Sequence, residues 1–148
     1  MNAFPHLSGR MDGEAHILPI RVYYEDTDFS GFAYHASYLR FFERGRTELI
    51  RCLGISQADL FTDLGGFAFV VRRMTIDFLR PARMDDILTI ATRPIDMRGA
   101  SMRLAQEAIR NGEILATAEV TVAAIRNGRA IRLPDELRSA LSRLMPIS

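Results

Sequence analysis

The chain has 148 residues, 48% apolar and 25% charged, with a net charge of +1. That length fits one domain able to bury roughly 70% of its unfolded surface. The near-neutral balance, with no block of like charge, argues against general nucleic-acid binding, and no run approaches the roughly 18 apolar residues of a membrane span.

Residues 1–18 mix His6, Arg10, Asp12, Glu14 and His16 with Gly and Pro, without an apolar segment. They are expected to form a flexible polar tail, not a secretory signal, which points to a cytoplasmic protein with one domain over 19–148. Ile20 to Tyr24 is β-branched and aromatic and predicts a strand. Ala36 to Leu53 predicts the main helix: Tyr38, Phe42, Gly45, Leu49 and Leu53 make one stripe at helical spacing. Gly45 on that stripe costs about 1 kcal/mol of helix propensity, which makes sense if the helix backbone must approach a sheet closely. Ser56 and Asp59 suggest a capping box opening a short second helix that Gly65-Gly66 ends.

Strand signals follow. Ala68, Val70, Met74, Ile76 and Phe78 are assigned to one face of a long strand, interrupted by Arg72 and stopped by Pro81. Ile87 to Met97 is the next strand, where Pro94 suggests a bulge or an edge. Ser101 to Arg110 and Ile114 to Ile125 are joined by Asn111-Gly112, a strong hairpin turn. Ala116, Ala118, Val120 and Val122 share a face of the second of these. Asn127-Gly128 turns into a short Ala130–Leu133 piece. Pro134 is placed at the first position of a last helix, with Leu137, Leu141 and Leu144 as its apolar stripe. The predicted class is α+β: one antiparallel sheet wrapped around one long helix. Such a sheet keeps free edges and an open outer face, so a homodimer or homotetramer is expected.

The chemistry concentrates between Arg21 and Gly54. The turn Glu25-Asp26-Thr27-Asp28-Phe29-Ser30-Gly31 holds three carboxylates. Glu25 and Asp26 are expected to cap the helix or to be solvated. Asp28 lies between an aromatic strand and Phe32-Ala33-Tyr34, and partly apolar surroundings would raise its pKa and make it a usable base or nucleophile. His35, at the helix entrance near the positive end of the dipole, should stay neutral and could orient water or bind a substrate oxygen. The N–H groups around Tyr34–Ser37 could hold a carbonyl oxygen as it gains charge, and Gly31 would let backbone approach a ligand. All 19 basic residues are arginine, so lysine Schiff-base chemistry is excluded. The single Cys52 reads as packing, consistent with a reducing compartment. There is no phosphate loop, dinucleotide fingerprint, nucleophile elbow or paired metal spacing, and His6 and His16 fall in the tail. No metal and no cofactor are expected.

At RVYYEDTD, Gly31, Tyr34-His35-Ala36, and Tyr38 through Arg44 followed by Arg46-Thr47-Glu48, the chain resembles the 4-hydroxybenzoyl-CoA thioesterase type of hotdog protein. Within that family it is most similar to the Tol–Pal-associated, YbgC-like acyl-CoA thioesterases. The resemblance covers roughly Pro19 to Leu133. It implies a hotdog fold, hydrolysis of an acyl-CoA thioester and active sites shared across a dimer interface. It also implies a catalytic carboxylate on Asp28, with His35 as a second polar group and Tyr24 lining the site. Gly31, Phe32 and Tyr34 would meet the substrate, and relatives commonly have Gly-Val-Val where this chain has Gly31-Phe32-Ala33. Arg72 and Arg73, with Arg80 and Arg83 just beyond, are candidates for the CoA phosphates. Asp28 would either attack to form an acyl anhydride or activate a water. An acyl carrier protein is a possible alternative to CoA. Two rival functions share the fold: a hotdog hydratase or dehydratase, and a non-catalytic acyl-binding or scaffold subunit of an envelope or lipid-synthesis complex.

Overall fold

The long helix and the strands follow the apolar periodicity of the chain, and a computed structural model describes residues 3–145. In chain order the elements are β1 (Arg10–Asp12), β2 (Ala15–Arg21), a 3-10 turn (Tyr24–Asp26), α1 (His35–Cys52), α2 (Gln57–Asp63), β3 (Phe67–Phe78), β4 (Ile87–Met97), β5 (Ser101–Arg110), β6 (Glu113–Arg126), β7 (Arg129–Ala130) and α3 (Asp135–Ser142). One antiparallel sheet runs β1-β2-β4-β5-β6-β3, with β7 paired to β6. α1 lies on its inner face. This is the α+β hotdog arrangement, a sheet curled around one helix.

α1 packs by burying Tyr38, Phe41, Phe42, Leu49 and Ile50 together with Gly45. A Cβ at Gly45 would stand 2.7 Å from Ile90 Cγ2 and 2.8 Å from Thr92 Oγ1. Only glycine allows the helix this close to β4. Beside it the buried Gln106 donates from Nε2 to Phe42 O (2.8 Å) and to Thr92 Oγ1 (2.9 Å), while Arg46 Nη1 donates to Gln106 Oε1 (3.0 Å). Those bonds satisfy polar groups that would otherwise be costly to bury.

Several expectations are corrected. The tail ends sooner than residue 18: Arg10–Asp12 pairs with Ala15–Arg21, which in turn pairs with β4 from His16↔Thr92 to Arg21↔Ile87. The strand expected over Ile20–Tyr24 therefore starts earlier and stops at Arg21. His16 is fully buried; its Nε2 lies 2.7 Å from Ser8 O, and Nδ1 has no partner among the described residues. Alternation does not run unbroken through β3. Val71 pairs with Val122 and Arg73 with Thr121, so Arg72 is the extra residue of a bulge. The bulge reverses parity: Phe67 and Phe69 face the core before it and Met74 and Ile76 after it, and Ala68 and Val70 do not share their face. Pro94 does mark a bulge, between Pro94 and Asp96, beyond the point where β2 stops pairing. Pro134 is the residue before α3, not its first. Asn111-Gly112 and Asn127-Gly128 take the positive φ values of tight hairpins, and Ser56 Oγ accepts from the Asp59 N–H at the start of α2. No helix among the described residues is long and apolar enough to cross a membrane.

Candidate active site

The acidic turn folds into a small hairpin between the 3-10 turn and α1. Thr27 bridges to Ala33, and the Asp28 N–H donates to Phe32 O at 3.0 Å. Gly31 turns the loop at φ 86°, in the left-handed region that favours glycine. A Cβ there would meet nothing within 4 Å, so the backbone is open to a ligand. Ser30 donates to Asp28 Oδ1 through both its N–H (2.8 Å) and its hydroxyl, leaving Oδ2 as the oxygen that Ser30 does not hold.

Asp28 and His35 line one open cleft of about 360 Å³ with Phe32, Tyr38, Phe78 and Arg80. The His35 ring lies 4.3 Å from that of Tyr34 and 6.1 Å from that of Phe78, and Phe78 lies 5.4 Å from Tyr38. The cleft therefore combines packed aromatic rings, the His35 imidazole among them, with a carboxylate and a guanidinium. The expectation of a raised Asp28 pKa is overturned. Asp28 is exposed, and the Ser30 hydroxyl and then the Ser30 N–H hold its carboxyl below the usual carboxylate range, with a smaller contribution from His35. Burial pushes the Tyr38 phenol up.

At the helix start the Tyr34 N–H donates to Asp26 O (2.8 Å) and the Ser37 N–H to Tyr34 O (2.8 Å). His35 and Ala36 remain as donors that the first turn does not use, and no side chain caps this end. Asp26 is 5% exposed, so it is not a solvated carboxylate; its Oδ2 accepts the Tyr23 N–H at 2.8 Å.

The other sequence candidates divide. Phe32 is in the cleft, and Arg83 stacks over its ring at 4.9 Å. Tyr34 borders the cleft through its contact with His35. Tyr24 is 79% exposed and lies outside the cleft walls. Arg72 and Arg73 sit at the β3 bulge and line a polar surface with Asp96, Arg98 and Arg103, away from Asp28. Arg80 is the arginine that lines the same cleft as Asp28, and its loop is anchored: Arg110 donates to Asp86 Oδ2 (2.7 Å) and Pro81 O (3.3 Å), and Arg80 pairs with Glu113 at 3.6 Å. Sequence reasoning missed Ser30, Tyr38 and Phe78 as site residues. Ser30 was findable as an acceptor-seeking residue two positions after Asp28; Phe78 arrives only through the sheet. Among the described residues no group of three His, Cys, Asp or Glu side chains is placed to hold a metal ion.

Residues 22–141 match the model of the thioesterase-like superfamily. The chain is 41% identical over 129 residues to the acyl-CoA thioesterase YbgC of Haemophilus influenzae, covering 86% of this chain and 94% of that one. It is 46% identical over 108 residues to the acyl-CoA thioester hydrolase YbgC of Escherichia coli O157:H7, covering 72% and 79%. Among solved structures, a probable thioesterase from Bartonella henselae superposes with a TM-score of 0.78 at 45% identity, covering 81% of this chain and 99% of that one.

Proposed function

Since this chain belongs to the thioesterase-like superfamily and is a thioester hydrolase, we propose that it hydrolyses acyl-CoA with the Asp28 carboxylate, at the cleft that Asp28 shares with His35. The observation that carries this reading is the convergence of an ionised, exposed carboxylate, an imidazole and an uncapped helix start on one aromatic-walled cleft. The thioester carbonyl oxygen accepts from the His35 and Ala36 amides, which bind it more tightly as charge develops. Asp28 Oδ2 attacks the carbonyl carbon and expels CoA thiolate, giving an acyl–Asp28 anhydride; water then cleaves the anhydride to free acid and carboxylate. The ionised carboxylate can equally activate a water for the same hydrolysis, and the isotope test below separates the two. His35 positions the water or the departing sulfur. The acyl chain lies along Phe32, Tyr38 and Phe78, and Arg80 and Arg83 meet the CoA phosphates.

A second copy fits this reading. β3 is an edge strand of twelve residues, and Val70, Val71, Phe78 and Leu79 are exposed along and just beyond it. Long apolar edges pair with another chain. Sedimentation of the protein as a monomer at micromolar concentration would remove the dimer.

The test is thiol release from a panel of acyl-CoAs, acetyl to palmitoyl plus 4-hydroxybenzoyl, by wild type and Asp28→Asn. Turnover is expected to fall about 10³-fold in the variant, and single turnover in ¹⁸O-water to label the Asp28 carboxylate. Full turnover by Asp28→Asn would overturn the carboxylate mechanism; label in the product acid alone, with no acyl–enzyme captured by hydroxylamine during turnover, would leave Asp28 as a base.

A further inference from the structure

We propose that Asp26, Ser37 and Arg40 are positioning residues that rivet the Asp28 hairpin to the start of α1 and so set where the carboxylate stands relative to the carbonyl-binding amides. The proposal rests on the reading of Asp28 and the His35 and Ala36 amides given above.

The rivet centres on one atom. Asp26 O accepts two hydrogen bonds, from the Tyr34 N–H (2.8 Å) and from the Ser37 hydroxyl (2.9 Å). These close the base of the hairpin whose rungs are Thr27↔Ala33 and Asp28 N–H to Phe32 O. Arg40 Nη2 donates to Ser37 Oγ at 3.1 Å. A guanidinium can only donate, so Ser37 Oγ must accept from it, and the hydroxyl hydrogen is directed to Asp26 O. The same Arg40 nitrogen lies 3.7 Å from Asp26 Oδ1, while Oδ2 takes the Tyr23 N–H. The preceding strand end, the hairpin base and the first turn of α1 thus meet on Asp26.

Burial points the same way. Ser37 is 1% exposed and Asp26 5%, and a buried carboxylate and hydroxyl are costly unless their bonds are made. Asp28, two residues on, is exposed and has none of these ties to the helix. Its position relative to His35 and Ala36 is inherited from the hairpin base. A misplacement of about 1 Å at a reacting group can cost about 100-fold in rate. The rivet therefore acts mainly on turnover: of the walls that bind the acyl group it leaves Tyr38 and Phe78 in place, while Phe32 moves with the hairpin.

The full chain carrying Ser37→Ala, Arg40→Met or Arg40→Lys tests this, with amide hydrogen exchange and steady-state kinetics read together. Ser37→Ala and Arg40→Met are expected to speed exchange at the Tyr34 amide about tenfold while leaving Leu49 unchanged. They are expected to lower kcat about 10- to 100-fold with KM within about twofold. Arg40→Lys, which keeps a donor, should retain most of both. Arg40 is largely exposed, so Arg40→Met answers the question even if Ser37→Ala fails to fold. Unchanged Tyr34 exchange, unchanged kcat, or equal acceleration along all of α1 would overturn the rivet. Should Asp28→Asn keep full turnover, the carboxylate mechanism falls, and the Tyr34 exchange still decides the rivet by itself.

Discussion

At the start of α1, Asp28 and His35 stand exposed beside an open cleft. Near its far end, His16 and Cys52 both approach the carbonyl of Ser8, His16 Nε2 at 2.7 Å and Cys52 Sγ at 3.5 Å. Both ends hold a histidine and a second ionisable group, yet only one of the two histidines is open to solvent. His16 has no exposed surface, and Gly9 is pressed so close that a Cβ there would fall 2.1 Å from Ile17 O and 3.1 Å from the His16 ring. The chemistry of a side chain is therefore set by what closes over it. At one end the hairpin leaves the amides and the carboxylate open; at the other the N-terminal segment seals the imidazole away.

That contrast can be broken from either end. After the loss expected of Asp28→Asn, the largest effect is expected from His35→Ala, which should lower kcat about 100-fold, or about 2.7 kcal/mol of barrier, with little change in thermal midpoint because the ring is exposed. A shifted midpoint with intact turnover would make His35 a structural residue like His16. Next is the contact between the two ends. Gly45→Val would drive a side chain into Ile90 and Thr92 and is expected to cost about 2 kcal/mol of stability by chemical denaturation; a neutral outcome would mean that the helix can stand off the sheet.

A smaller effect concerns pH at the closed end. Burial lowers the His16 pKa below its usual value of about 6.5, outweighing the Ser8 carbonyl and Glu48, which act the other way. Folding therefore favours the neutral ring. The stability this brings is complete above about pH 6.5 and is lost as pH falls through the depressed folded pKa. Thermal midpoints of wild type are expected to drop over that acid window, and His16→Phe should flatten the drop. An identical pH profile in the variant would acquit His16. The smallest shift is at the open end. Ser30 lowers the Asp28 pKa, so the acid limb of kcat/KM should lie below the usual carboxylate value, and Ser30→Ala should move it upward. An unmoved limb would show that Ser30 does not tune the carboxylate.

Much of this protein was legible in its sequence because the relevant interactions are short-range. The helix stripe, the Asn-Gly hairpins and the nearness of Asp28 to His35 each depend on residues within a turn or two of one another, where spacing dictates geometry, and a glycine on the buried stripe marked the face that approaches the sheet. Tertiary structure decided the rest. Whether residues 10–18 are tail or sheet depends on β4, some seventy residues away, offering an edge. The β3 parity switch at Arg72 is imposed by the register of β6. Arg80 and Phe78, not Arg72 and Arg73, line the cleft with Asp28 because β3 ends at that cleft. Asp26 and Asp28 are the same residue type two positions apart; sequence context singled out Asp28 as the candidate base or nucleophile, but it left Asp26 as a cap or a solvated group and could not show that Asp26 is buried and Asp28 exposed. Burial separated them, and burial is a property of the assembled chain: it depends on which distant backbone and side chains arrive to exclude water and to supply or withhold a hydrogen bond.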